Sequence, residues 1–236
     1  PVLADGARPA PYRLPLRRGG PMDRDPAAAR TAFLEAGVFF ARLVDEIEQL
    51  AERSDDDVWA RPGLGAWDVR ALVGHTHRAL VTLAAYLGEP ADVAACTSTG
   101  QYYVLSGGAT GPQEVAARGV AAGRALGDEP ASVVRGALED AREALARVPV
   151  GEDPLIRTVV GGTRLSAYLP TRTFELAVHG LDITAACGLE RTPPGHVLAD
   201  AALTLVEIAA ERGHVPAVLQ ALTGRRSLPR GFSVLG

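Results

Sequence analysis

The residue types best suited to chemistry lie in one short stretch, residues 170–188. Arg172, Glu175, His179 and Asp182 follow one another there at steps of three or four positions. At about 100° per residue, these four side chains fall on one line along a helix. Glu175 and His179 stand at i and i+4, so a carboxylate oxygen and an imidazole nitrogen can converge on one point. With a further ligand from another helix, such a pair can hold a divalent metal ion.

The charged line runs through the middle of an apolar arc, with Leu176 and Ile183 on one side and Phe174 and Val178 on the other. A solvated charged stripe would lie opposite the arc instead. Charges in a buried arc are costly unless they are paired, hydrogen-bonded or bound to a metal ion. A buried ladder of Glu–His or Arg–Asp ion pairs is therefore the alternative to a metal site, and spacing alone does not separate the two.

The helix that carries this line is expected to start at Pro170, with Thr171 as its cap, and to end at Gly188 in the left-handed conformation. A second helix is expected over residues 69–87, with Asp68 as its N-cap.

The second helix carries His75 and His77, either of which can supply a third ligand. The helical wheel places His77 nearer the main apolar stripe, whereas His75 shares another side of the helix with Ala79 and Tyr86. A hydrogen-bonded histidine in the core or at its rim is the alternative for both residues.

Apolar periodicity and turn signals predict further helices and one hairpin. The helices are expected over residues 26–53, 112–126, 130–148 and 197–212, and the hairpin over 155–160 and 163–169 with its turn at Gly161 and Gly162. Residues 88–112 are expected to be irregular, with packing as the role of Tyr102 and Tyr103. The sequence therefore predicts a mainly α fold.

The expected domain organisation has three parts. Residues 1–21, rich in Pro, Gly and Arg, form a disordered leader; residues 22–188 form a helical bundle; residues 189–236 form a helical extension packed on it.

Composition excludes several classes of function. The chain has 236 residues and a net charge of −4, and all its basic side chains apart from histidine are scattered arginines, which argues against nucleic-acid binding. Cys96 and Cys187 have no metal-binding or disulfide spacing. The sequence contains neither a membrane-spanning apolar run nor a signal-peptide pattern. A cytoplasmic protein, monomeric or homodimeric, is expected.

Three motifs together resemble the mycothiol-dependent maleylpyruvate isomerase family, within the DinB-like superfamily of metal-binding four-helix bundles. They are WDVRALVGH at 67–75, RTFELAVHGLDI at 172–183 and LTGR at 222–225. The resemblance implies a DinB-like four-helix bundle with a small β-hairpin and a short C-terminal helical appendage.

The resemblance also implies a metal site and names its ligands as His75, Glu175 and His179 in this sequence. This choice favours His75 over His77, against the helical wheel. Arg172, Asp182, His77 and Trp67 are further candidates, either for orienting a metal ligand or for contacting substrate.

The implied activity is that of a metal-dependent enzyme, with zinc favoured over nickel or iron. A low-molecular-weight thiol, mycothiol or a similar one, would act as the metal-bound thiolate nucleophile. The enzyme would transfer it to a small electrophile (S-transfer) or use it for cis–trans isomerisation. The alternatives are a metal-dependent hydrolase on the same scaffold and a non-catalytic bundle that binds a small molecule or a protein partner.

Overall fold

The computed structural model describes residues 24–109 and 111–236, so the expected leader over residues 1–21 lies outside it. The described part is mainly helical, with one short sheet, and this confirms the predicted fold class. The helices are α1 (Pro26–Arg53), α2 (Val69–Leu87), α3 (Thr99–Ala109), α4 (Pro112–Ala125), α5 (Pro130–Ala146), α6 (Leu165–Cys187), α7 (Gly195–Glu211) and α8 (Val215–Leu222). The strands are β1 (Ala94–Cys96), β2 (Leu155–Thr158) and β3 (Gly161–Arg164), and a single 3₁₀ turn covers Val58–Ala60.

Four helices form the central bundle. Helix α1 packs against α5 and α6, and α2 packs against the same two helices, so the four close into a ring around one apolar core. Helix α4 lies against α2, while α3 and α7 lie against α6 and against each other. No helix among the described residues is long and apolar enough to cross a membrane.

Helices α1 and α2 have the predicted boundaries because their caps are local in sequence. The Asp25 carboxylate accepts hydrogen bonds from the backbone N–H groups of Ala27 and Ala28 at the start of α1. The Asp68 carboxylate accepts one from the N–H of Ala71, at 2.7 Å, at the start of α2. Each carboxylate satisfies N–H groups that would otherwise lack a partner in the first turn.

Two glycines allow the backbones of α2 and α4 to touch. A Cβ atom on Gly74 would overlap the backbone nitrogen of Gly123, and a Cβ atom on Gly123 would lie 2.6 Å from the carbonyl oxygen of Arg70. Larger side chains at these positions would push the two helices apart. Gly74 immediately precedes His75, so this contact also fixes the position of that histidine.

Helix α6 begins at Leu165, five residues before the expected start at Pro170. The carboxylate of Asp153 caps its first turn, accepting hydrogen bonds from the backbone N–H and the hydroxyl of Ser166, each at 2.8 Å. Pro170 therefore lies inside the helix, and the Thr171 hydroxyl donates to the carbonyl of Tyr168 instead of capping. The cap lies upstream of β2, outside the helical pattern, which is why the pattern placed the start wrongly.

The other end of α6 agrees with the prediction, since Gly188 closes the helix with φ of 67°. The side of α6 away from its charged line is buried and made of small residues. A Cβ atom on Gly180 would lie 2.7 Å from the ring of Phe39 on α1, so the small residues allow α1 and α6 to pack closely.

The predicted hairpin is present as β2 and β3, but it is part of a larger sheet. Strand β3 pairs antiparallel with β2 and parallel with β1, giving the order β1-β3-β2. Gly161 and Gly162 lie in β3 and not in the turn. A Cβ atom on Gly162 would overlap the carbonyl oxygen of Val93, so glycine is needed there for the approach of a neighbouring segment.

The expectation that residues 88–112 are irregular was wrong, because this segment contains β1 and α3. The Ser98 hydroxyl accepts a hydrogen bond from the N–H of Gln101, and the Gln101 side chain accepts one from the N–H of Thr97. This exchange resembles a capping box and is readable as Ser-x-x-Gln. The helix was not predicted because Gly107 and Gly108, further along the segment, favour a loop.

The segment before α1 is tied to α7 through buried charges. The guanidinium of Arg24 lies 2.9 Å from the Asp200 carboxylate and 2.8 Å from the Glu207 carboxylate, and it donates to the Thr204 hydroxyl. Helix α7 also packs on α1, α3 and α6. The predicted boundary between a bundle domain ending at residue 188 and an extension starting at residue 189 stays a prediction.

The α2–α4 contact predicts a sharp difference between two glycine substitutions. Gly74→Ala should lower the free energy of unfolding by about 3 kcal/mol or more, because the added methyl group overlaps the backbone of α4. Gly136→Ala, at an exposed position of α5 with open space around it, should raise it by up to about 1 kcal/mol through helix propensity. Urea denaturation of both variants measures the difference. Equal stabilities would contradict the close backbone contact.

Candidate metal centre

Helices α2 and α6 bring together His75, Glu175 and His179, which we call the His–Glu–His cluster. The Oε2 atom of Glu175 lies 3.2 Å from Nε2 of His179 and 3.6 Å from Nε2 of His75. One ligand atom from each of the three residues lies within 4.8 Å of the other two. The two imidazole rings are nearly perpendicular, with centroids 5.1 Å apart, and the Nε2 atom of each faces the same carboxylate oxygen.

The donor atoms and their spacing suit a divalent ion such as zinc. Two ligand atoms that each lie about 2.1 Å from a tetrahedral ion stand about 3.4 Å apart, close to the two separations between Glu175 and the histidines. Two imidazoles and one carboxylate make up a ligand set that leaves at least one coordination position for a further group. The three side chains are 15–20% exposed, so the cluster is enclosed and still reachable.

Glu175 is the negative centre of the cluster. Burial alone would raise the pKa of its carboxyl group, but hydrogen bonds to His179 and His75 and the charge of Arg172 hold the pKa well below the usual range. The carboxylate is therefore ionised at neutral pH and available as a ligand.

His179 is held in place by two carboxylates. Its Nδ1 atom lies 3.1 Å from Oδ2 of Asp182, one helical turn further along α6, and its Nε2 atom faces Glu175. Burial alone would lower the pKa of His179, but the hydrogen bonds to Asp182 and Glu175 outweigh it and raise the pKa to about 9. Asp182 thus occupies the position of a carboxylate that orients a metal-ligating histidine.

His75 is oriented by packing. Its ring centroid lies 4.5 Å from that of Trp67, and its Nδ1 atom has no hydrogen-bond partner among the described residues. The Trp67 indole N–H donates to the carbonyl of Ala116, at 2.9 Å, and a Cβ atom on Gly119 would collide with its ring. Trp67 therefore connects α4 to the imidazole of His75.

His77 lies outside the cluster. Burial, together with the charge of Arg78, lowers the pKa of His77, and its Nε2 atom has no hydrogen-bond partner among the described residues. Periodicity favoured His77 over His75 because it marks one apolar stripe only, and α2 contacts α4, α5 and α6 on different sides.

Arg172 lies one turn before Glu175, against aromatic rings. Its guanidinium carbon is 4.8 Å from the ring centroid of Tyr168 and 5.7 Å from that of Tyr102. Its Nε–H donates to the Thr171 hydroxyl at 2.9 Å. These contacts hold a cation beside the carboxylate of Glu175.

A pocket of 380 Å³ opens beside the cluster. His75 and Glu175 form part of its wall, and Glu175 is the only carboxylate among the described residues that line it. Arg78, Arg118 and Arg172 line it as well, so the pocket carries an excess of positive charge. The rest of the wall is mainly aromatic and apolar and comprises Tyr86, Tyr102, Tyr103, Tyr168, Val115, Val159 and Leu235, among others. Two larger grooves along α1, of 480 and 560 Å³, contain no residue of the cluster.

Sequence reasoning missed several residues of this site. Tyr103, assigned to packing, donates its hydroxyl hydrogen to Oε1 of Glu175 at 2.9 Å. Recognising the helix start at Ser98 and Gln101 would have placed Tyr103 on a helix, though not beside Glu175. Arg118 and Leu235 carry no local signal, because only the tertiary packing brings them to the pocket.

Comparison with known proteins identifies the family. The family model described as the mycothiol maleylpyruvate isomerase N-terminal domain matches residues 40–184, more than half of the chain and all of the His–Glu–His cluster. The chain belongs to this family, as its motifs predicted. No curated protein and no solved structure matches the chain.

The raised pKa of His179 predicts a pH-dependent stability of the metal-free protein. Because the folded-state pKa of about 9 exceeds the ordinary value of 6.5, the stabilisation is fully present below pH 6.5 and is lost as the pH rises through 9. Urea denaturation in chelator should give an excess stability on the order of 2 kcal/mol at pH 6 relative to pH 9.5. His179→Gln should lose this excess, and an unchanged profile in that variant would contradict the assignment.

Proposed function

We propose that this chain, as a member of the mycothiol maleylpyruvate isomerase N-terminal domain family, is a metal-dependent enzyme that uses a low-molecular-weight thiol. The observation that carries the proposal is the convergence of His75, Glu175 and His179 beside an open pocket, with His75 and Glu175 in its wall. These three residues would hold the ion, with zinc the favoured metal because of its preference for imidazole and carboxylate ligands. When bound there, a divalent ion would lower the pKa of a coordinating thiol and favour the thiolate, which is the nucleophilic form.

The residues of the chain supply the remaining requirements. Asp182 orients His179, and Trp67 packs against His75, so both ligands are pre-positioned. Arg78 and Arg118 make no ion pair with another described residue, so their guanidinium groups are available to an anionic acceptor.

Two outcomes follow from addition of the thiolate to an electrophilic double bond. In isomerisation, the new carbon–sulfur bond allows rotation about the former double bond, and elimination then returns both the trans product and the thiol. In S-transfer, the adduct takes up a proton and leaves as the product. Both reactions begin with the same step, and stabilising the developing negative charge is the shared requirement.

The lining of the pocket bears on the hydrolase alternative. Hydrolases that pair metal-bound water with a carboxylate general base need a second acidic group, and the only carboxylate lining the pocket among the described residues is Glu175, itself a proposed ligand. A hydrolase here would therefore depend on the metal ion alone to ionise its water, so the thiol requirement of turnover distinguishes the two activities.

Metal content is the first test. We expect about one divalent ion per chain, by elemental analysis in chelator-free buffer, because three ligands from two rigid helices form one site. His75→Ala and Glu175→Ala should lose the ion, whereas His77→Ala, on the same helix and outside the cluster, should retain it. Metal loss in His77→Ala with retention in His75→Ala would contradict the ligand assignment, and a wild type that binds no metal would leave a non-catalytic bundle.

Activity of the metal-loaded protein is the second test. Maleylpyruvate and other activated double bonds should turn over only when mycothiol is added, and His75→Ala should reduce turnover to background. Turnover that needs the metal but no thiol would favour the hydrolase.

A substitution of Arg118 tests whether this residue binds the acceptor without taking part in the chemical step. Arg118→Gln should raise KM about 10-fold or more for a carboxylate-bearing acceptor, through loss of a charge-assisted hydrogen bond, with a smaller change in kcat. A neutral ester of the same acceptor should not respond. Arg124→Gln, exposed on the same helix and outside the pocket, is the matched control. Equal KM values for wild type and Arg118→Gln would remove Arg118 from the acceptor site.

A further inference from the structure

The two oxygens of the Glu175 carboxylate have different partners. Oε2 faces both histidines, at 3.2 and 3.6 Å. Oε1 points the other way and accepts a hydrogen bond of 2.9 Å from the hydroxyl of Tyr103 on α3. The carboxylate is thus shared between the proposed metal site and a helix that supplies none of its ligands.

The surroundings of Tyr103 keep its hydroxyl aimed at Glu175. Its ring packs edge-on against the rings of Phe174 and Tyr102, with centroids 5.5 and 6.0 Å away. The hydroxyl also lies 3.3 Å from the carbonyl oxygen of Thr171, a longer contact than that to Glu175. A phenol is protonated at neutral pH and a carboxylate oxygen can only accept, so Tyr103 is the donor in this hydrogen bond.

We propose that Tyr103 is a positioning residue that keeps Oε1 of Glu175 occupied, so that the carboxylate presents a single oxygen to the proposed metal ion. A carboxylate can bind a cation through one oxygen or through both. With both oxygens free, Glu175 would occupy two coordination positions and crowd the position needed by the thiol. The inference rests on the proposed function, because it assigns a role toward that site.

Each ligand of the cluster then has its own means of orientation. Asp182 orients His179 through a hydrogen bond, Trp67 orients His75 by ring packing, and Tyr103 orients Glu175 through a hydrogen bond from a third helix. Groups that orient metal ligands in this way affect metal affinity although they do not touch the ion. Tyr103 differs from Asp182 and Trp67 because it also determines how many oxygen atoms Glu175 offers to the ion.

Cobalt(II) binding to the full chain tests the inference, since cobalt reports coordination number through the intensity of its visible absorption. Tyr103→Phe removes one hydroxyl group and should lower cobalt affinity about 10-fold or more. It should also weaken the visible bands, because the second oxygen of Glu175 raises the coordination number. Tyr102→Phe is the matched control for metal binding, because Tyr102 is adjacent on α3 and its hydroxyl makes no hydrogen bond with a described residue. Its affinity and spectrum should equal those of the wild type.

The outcomes separate the inference from the proposed function. A wild type that binds cobalt, with the same affinity and spectrum in Tyr103→Phe, would overturn the role of Tyr103 and leave the proposed function standing. A wild type that binds no cobalt would overturn both. Thermal unfolding of the metal-free variants checks that the fold is kept.

A measurement on the wild type alone guards against a Tyr103→Phe variant that does not fold. The infrared difference spectrum between metal-loaded and metal-free protein should show the wide separation of carboxylate stretching bands that is typical of coordination through one oxygen. The narrow separation typical of coordination through both oxygens would overturn the inference.

Discussion

The central constraint on this structure is the charge of Glu175 within the wall of a helical bundle. A carboxylate removed from water must be compensated, and here the compensation comes from several helices at once. Two imidazoles approach one of its oxygens, a phenol donates to the other, and the guanidinium of Arg172 lies one turn away. The relative positions of α2, α3 and α6 are therefore constrained by compensation of the Glu175 charge as well as by apolar packing.

Close backbone contacts make this arrangement rigid. Gly74 and Gly123 bring α2 onto α4, and Gly180 admits Phe39 of α1 against the back of α6. The first contact is one residue from His75 and the second is one residue from His179. Small residues beside the cluster thus hold its two histidines in place, since densely packed backbones resist small displacements.

The sequence allowed the fold class and both histidine-bearing helices to be predicted, because caps such as Asp68 and apolar periodicity are local signals. The start of α6 was predicted wrongly because it depends on Asp153, upstream of the hairpin. Helix α3 was not predicted because its glycines are typical of a loop. Periodicity also favoured His77 over His75, because a helix with several packed sides has no single inward direction. The pairing of Glu175 with His179 could be predicted from their spacing of four residues. The hydrogen bond from Tyr103 could not, since only tertiary packing brings α3 beside α6.

The pocket is bounded by two kinds of wall. The cluster belongs to α2 and α6 at the centre of the bundle, whereas Arg118, Val159 and Leu235 come from α4, the β2–β3 turn and the C-terminal tail. These three side chains are exposed, and exposed positions tolerate substitution better than the buried positions of the packed helices. Under the proposed function, affinity for the ion and choice of acceptor would thereby be encoded largely in separate parts of the chain. A library of substitutions at Val159 and Leu235 would be a rational starting point for redirecting the scaffold to new electrophiles while its centre stays intact.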